Sequence, residues 1–492
     1  MNAVLSVNDP RGYWVTRLLL ERGIGVICLI AFIVALNQFK PLLGERGLLP
    51  VPLFVKQVPF RATPSLFFWM PRDVAFTTAA WIGIVLSCLV ITGISSRYTW
   101  LSVAVWASIY ILYLSFVNVG QTFYAFGWES ILLEACFFAI FLGGSRVVPQ
   151  QIPIWLFRWL LFRIMFGAGL IKLRGDPCWR DLTCLNYFYE TQPMPNPASW
   201  FYHWAPQWVN KGGVLFNHFA ELIVPFGLLL PQPIAGIAGV ITILFQLFII
   251  SSGNLSWLNW LTLFLAFSAL DGKFLSAVLP WRAPEMHAPP VSVAFVNLSL
   301  AVIVVIMSIP VVVNMFSARQ IMNTNFNSLH LVGTYGAFGS ITRPRYEVVV
   351  EGTDDRMITS ATQWREYEFK AKPGDLRRMP PQVAPYHLRL DWLMWFAAMG
   401  SYQQYPWFVN LLAKFLQGDR EVLGLIRTNP FPDHPPQYVR ATLYEYHFTT
   451  RQEHKQSGAW WKRAAAGPYF PAVSLSTPGF RRVLESQGWP TE

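Results

Sequence analysis

The chain is expected to be a polytopic α-helical membrane bundle of about nine spans carrying a C-terminal extramembrane α+β domain rich in β-strands. Three observations predict this. Of 492 residues, 53% are hydrophobic and only 13% charged, with 22 Trp and 38 Phe, more apolar surface than a soluble chain can hide. Apolar segments near the roughly 20 residues that cross a bilayer core recur through the first two thirds. After Phe316 the hydropathy falls and β-branched and aromatic residues begin to alternate.

The spans are read in order as Val15–Leu36, Ala75–Ile94, Trp100–Val119, Phe126–Leu142, Ile154–Lys172, Leu215–Leu230, Ile234–Ser251, Leu255–Leu270 and Val291–Phe316. The first has no small-residue cleavage site behind it and runs on into Asn37, so it reads as a retained span and not a signal peptide. Residues 1–316 are therefore assigned to a transmembrane helical domain, and 317–492 to a C-terminal extracytoplasmic domain, β-rich with interfacial amphipathic helices. Within the latter, Arg345–Glu351, Trp364–Lys370 and Ala441–Phe448 have strand composition. Leu388–Phe396 and Trp407–Gln417 have helical apolar spacing, and Trp392, Trp395 and Trp407 suit a membrane interface. Pro430–Glu492, rich in Pro, Gly and aromatics, reads as a wrapped, irregular tail.

Lys and Arg near span ends resist translocation, and Arg11, Arg17, Arg22, Arg97, Arg146, Lys273 and Arg282 gather towards one side of this nine-span topology. That side is cytoplasmic, and an odd number of spans carries the C-terminal domain to the other. The compartment is a bacterial periplasm, facing the inner membrane, or the lumen of the endoplasmic reticulum. The net charge of +11 is scattered among acidic residues and suits anionic lipid headgroups. No recognition helix, aromatic-interleaved basic strand or zinc spacing argues for nucleic acid or a metal. No cofactor motif of the nucleotide or dinucleotide kind occurs.

The chemistry-bearing residues lie in the middle of the bundle. A charge at bilayer depth costs about 2.5–3.5 kcal/mol on the translocon scale. Glu129, Glu134, Arg158, Arg163, Lys172, His218 and Glu221 therefore need partners or water. They come from three consecutive spans and either meet in one polar cavity, with Lys172, His218 and Glu221 as a catalytic set, or form structural ion pairs that lock the bundle. Lys172 ends an apolar run, where it either snorkels to the headgroups or marks a functional site. Asn254 and Asn259, with Trp257 and Trp260, add a second polar and aromatic cluster. Gly167 and Gly169 let a neighbouring helix or a lipid-like ligand approach closely. Cys28, Cys88 and Cys136 lie in apolar spans as small hydrophobes. Cys178 and Cys184 share an outward loop in which a structural disulfide is expected in an oxidising compartment.

Several blocks together closely resemble the lipase maturation factor family: Arg163–Leu185, Tyr189–Pro197, Asn217–Leu222, Ser252–Thr262, Asn323–Gly339 and Arg389–Ala398. The resemblance runs from about Arg11 to Pro490. It implies a multi-span protein that assists folding, assembly or maturation of an exported client, lipase-like in a eukaryote, through a C-terminal region outside the cytosol. Membrane lipids are the other expected partner. A shorter stretch, Ala168–Leu173 followed by Trp179, looks like the segment of the vitamin K-dependent γ-glutamyl carboxylase superfamily that presents a base lysine. That likeness implies an alternative: an intramembrane enzyme acting on a lipid, quinone or exported peptide with Lys172 as base.

Overall fold

A computed structural model describes residues 10–276, 278, 279, 281 and 283–491, so the orientation argument's Arg282 lies outside the described residues. Among the described residues, six helices are long and apolar enough to cross a membrane: α1 (Trp14–Leu43), α2 (Asp73–Thr92), α3 (Thr99–Val119), α5 (Gln151–Arg174), α8 (Ile234–Ser252) and α10 (Val291–Phe316). Small residues set their spacing. A Cβ on Gly83 of α2 would lie 2.4 Å from the Phe32 ring of α1, so that ring packs directly on the α2 backbone.

The other three expected spans are helical but short. They are α4 (Gly127–Ala139), α6 (Gln207–His218) joined by a π-turn at Phe219–Ile223 to α7 (Val224–Leu228), and α9 (Leu258–Ala266). At 1.5 Å per residue, the 13 residues of α4 fall well short of the roughly 30 Å core. They need not span it unaided, because α4 is buried on nearly every side by protein, where its terminal polar groups find partners. Long and short segments alike run between the same two ends of the bundle. At one end Trp14 Nε1 donates to Ser145 O (3.2 Å), Thr16 Oγ1 to Leu270 O (2.5 Å), and Val148 N to His287 O (3.0 Å). At the other, Gln38 Nε2 donates to His387 O (2.7 Å) and Asp176 N to Gly339 O (2.8 Å).

That second end is capped by the C-terminal third. The segment from Met322 to Gly339 lies directly on α5: a Cβ on Gly167 would come within 2.3 Å of Tyr335 O, and one on Gly175 within 2.1 Å of Gly339 O. The residue that packs on Gly167 is thus a loop backbone, while Gly169 receives Leu222 beside the π-turn. Beyond it, an antiparallel sheet has strand order β2-β1-β3-β4, built from β1 (Arg345–Thr353), β2 (Arg365–Glu366), β3 (Tyr438–Phe448) and β4 (Trp461–Val473). β1 pairs with β3 from Arg345↔Tyr446 to Thr353↔Tyr438.

Three expectations are corrected here. Trp364–Lys370 contributes only the two residues of β2, because Glu368 turns to pair with Thr428 across an isolated bridge. Pro430–Glu492 is not an irregular tail but holds two long strands. β4 escapes a propensity reading because it carries Gly467, Pro468 and Pro471, which an edge strand tolerates. Helices α11 (Arg389–Ala398) and α12 (Pro406–Leu416) exist where expected, yet they are not interfacial: Trp392 and Trp407 are 3% and 1% exposed, packed inside the protein.

Candidate functional site

Lys172 sits in the last turn of α5, and the π-turn after α6 carries Glu221 one turn beyond Asn217. A π-turn inserts an extra residue into a helix and re-aims the side chains that follow. Here it faces both residues towards α5. Lys172 Nζ donates to Glu221 Oε1 (2.6 Å), Glu221 Oε2 (2.8 Å) and Asn217 Oδ1 (2.9 Å), and Asn217 Nδ2 donates to Glu221 Oε2 (2.9 Å). Three acceptor atoms match the three N–H groups of an ammonium. The Trp179 ring adds a cation–π contact at 4.9 Å. Lys172 is 5% exposed and faces inward, which excludes the snorkelling reading.

This triad borders a cavity of about 480 Å³. Helix α5 supplies Met165 and Ala168, α8 Phe245 and Gln246, and α9 Asn259 and Thr262, while Trp392 and Phe396 of α11 and the Tyr335–Gly339 backbone roof it. Asn259 Nδ2 donates to Gln246 Oε1 (2.7 Å), making a second, uncharged polar pair. Among the described residues, Lys172 and Glu221 are the only charged ones on the wall.

The other expected site residues do not share this cavity, and each is held by its own buried partners. Arg163 and Glu134 form an ion pair with neither side chain exposed; Arg163 also donates to Gly333 O (2.8 Å), and Tyr335 Oη to Glu134 Oε2 (2.8 Å). Glu129 does not meet its neighbours in the bundle but Arg389 of α11, at 2.7 Å, with Tyr113 Oη as a further donor. Arg158 donates to Ser268 O (2.9 Å) and Tyr13 Oη (3.0 Å) at the opposite end of the bundle. His218 Nε2 donates to Trp179 O (2.9 Å) and steadies the loop behind Lys172. Asn254 pins the cap: it accepts from Val383 N (2.7 Å) and Ala384 N (2.9 Å) and donates to Pro381 O (2.8 Å).

Asn217, Gln246, Tyr335 and Arg389 were not singled out by the sequence reading. Arg389, a cation opening an apolar helix, carried a usable signal; the other three are common residue types in ordinary surroundings. Cys178 and Cys184 are joined by a disulfide in the loop after α5. Beside it, Asp176 caps the Pro177–Arg180 turn and accepts from both Nη atoms of Arg343 (2.8 and 3.0 Å), which pull its carboxyl down to about 2. Among the described residues, no three His, Cys, Asp or Glu are grouped to hold a metal.

Comparison with known proteins accounts for both parts of this architecture. A family model described as the lipase maturation factor transmembrane domain matches residues 15–277, and one described as the lipase maturation factor C-terminal domain matches 331–471. Lipase maturation factor 1 of Homo sapiens is 42% identical over 97% of this chain and 91% of its own length. The Mus musculus protein of the same name is 41% identical over 97% and 90%. Lipase maturation factor 2 of Homo sapiens is 28% identical over 96% and 84%. No solved structure matches. Neither these relatives nor the family models favour the carboxylase likeness of Ala168–Leu173. With its helical bundle and its C-terminal cap both matched, this integral membrane chain belongs to the lipase maturation factor family.

Proposed function

We propose that the protein assists the maturation of an exported lipase, and that the client is engaged on the capped face of the bundle. The observation that carries this reading is the 42% identity to a lipase maturation factor across 97% of the chain, cap included. In this reading residues 1–316 are the membrane domain and 317–492 the client-facing one. The capped face is extracytoplasmic. Support comes from the Cys178–Cys184 disulfide on that face, since such bonds persist in oxidising compartments. The basic Arg17, which donates to Val147 O (2.8 Å), lies at the opposite end, as the positive-inside rule requires. The buried charges then act as a frame: Lys172, with every N–H engaged, is a structural cation and not a free base.

The test is complementation. In animal cells lacking their own lipase maturation factor 1, expression of this chain is expected to raise secreted lipase activity per unit of lipase protein. Its C-terminal end should be protease-protected in sealed microsomes. A correctly inserted, folded chain that leaves lipase activity at the vector level would sink the proposal.

A further inference from the structure

Helices α5, α8 and α9 place the cavity's walls where lipid is the surrounding solvent, and the α11 side chains and the Tyr335–Gly339 backbone close it towards the cap. Its volume of about 480 Å³ lies in the usual small-molecule range of roughly 300–1,000 Å³. At about 30 Å³ per water-sized group it takes about sixteen such groups, one acyl chain and not two.

The wall's charge selects the head. Glu221 cancels Lys172, so the lining is neutral. A carboxylate or phosphate entering here would have to displace Glu221 and leave a buried carboxylate without its cation, which is strongly unfavourable. One weakly engaged donor remains for an uncharged oxygen. Gln246 Nε2 is turned to the thioether of Met165 at 3.3 Å, a poor acceptor that an ester or hydroxyl oxygen would outcompete. Buried donors are seldom left this way without a partner.

We infer that the cavity binds a neutral single-chain lipid, its chain against Met165, Phe245 and Leu258 and an ester or hydroxyl oxygen accepting from Gln246. The inference rests on the cavity alone and stands or falls separately from the lipase reading.

The probe is a monoacylglycerol ether bearing a diazirine and an alkyne, applied to the full-length protein purified in detergent. Saturable labelling is expected on the peptides holding Met165–Lys172 or Phe245–Ile249, competed by unlabelled monoacylglycerol. Matched fatty-acid and lysophosphatidylcholine probes should label these peptides far less. Ala168→Phe, which fills the cavity, should abolish the signal. Gln246→Leu, which keeps the volume and is the arbiter if Ala168→Phe does not fold, should weaken competition about three- to tenfold, the worth of one hydrogen bond. The inference is overturned by labelling that does not saturate, by stronger labelling with the fatty acid, by Gln246→Leu binding like the wild type, or by a cavity that labels only with a hydrophobic client peptide.

Discussion

At the scale of single residues, the strongly buried charges discussed above are held by specific partners, often distant in sequence. Glu129 and Arg389 are the sharpest case, 260 positions apart and both fully buried. Arg389 also donates to Phe123 O (2.7 Å) and lies over the Tyr124 ring at 3.4 Å. Removing one member of such a pair strands the other in low dielectric. Arg389→Leu is therefore expected to cost about 3–5 kcal/mol, and Arg389→Leu combined with Glu129→Leu to recover part of that loss. Denaturant unfolding in detergent measures both; a single variant as stable as the wild type would show that Glu129 has another source of compensation. Lys172 and Glu221 were legible as members of one candidate site because Lys172 ends a span and Glu221 lies in the next apolar one. Arg158 and Glu134 were equally conspicuous, but nothing in their spacing says that Arg158 bonds Ser268 O and Tyr13 while Glu134 takes Arg163.

At the scale of elements, the loop after α5, clamped on itself by the Cys178–Cys184 disulfide, joins the membrane part to the cap through three connections: the Asp176–Arg343 pair, Asp176 N donating to Gly339 O (2.8 Å), and Trp179 Nε1 donating to Phe338 O (2.9 Å). Closing so short a loop stabilises by about 2 kcal/mol in the chain-entropy account. Cys178→Ser should lower the melting temperature, and reductant should bring the wild type down to the variant; identical melting of all three would show that the loop holds without its clamp. The elements that sequence periodicity placed well are those whose burial is one-sided or whose length is decisive, such as α1 and α10. It placed poorly the ones whose form depends on neighbours. β4 tolerates two prolines only because it is an edge strand, and α12 is amphipathic in pattern yet buried nearly all round, since the sheet and the loop around Leu48 cover it.

At the scale of the whole molecule, the seam between bundle and cap is lined by neutral histidines. His387 is enclosed by the rings of Phe126, Trp128, Trp257 and Trp392, and neither of its nitrogens has a partner. Burial, reinforced by Arg389, holds its pKa well below the ordinary value. His330 accepts at Nδ1 from Asn325 Nδ2 (2.9 Å) and donates from Nε2 to Asn118 Oδ1 (2.8 Å), and burial pushes it down to about 4. A histidine whose folded pKa is depressed stabilises fully above its unfolded pKa near 6.5, and that contribution fades as pH falls through the folded value. The protein should thus lose stability progressively between about pH 6.5 and 4. His387→Phe, which keeps a ring in the aromatic cage, should flatten the slope. Melting curves at pH 7.5, 6 and 4.5 decide it: equal slopes for wild type and variant would remove His387 as a contributor.

The sequence by itself determined the class of the molecule, a helical membrane bundle with a sheet-bearing C-terminal part, along with the two cysteines that are clamped and the family the chain joins. These follow from composition, run length and local pattern, which need no knowledge of what packs against what. Only the tertiary structure decided that the buried charges are held by separate sets of partners, that the cap inserts Arg389 and the Tyr335 loop among the bundle helices, and that a neutral cavity remains beside Lys172. The physical reason is that a buried charge is satisfied by whichever partner the fold brings within about 3 Å. That choice is made by packing across hundreds of residues and leaves no trace in the spacing along the chain.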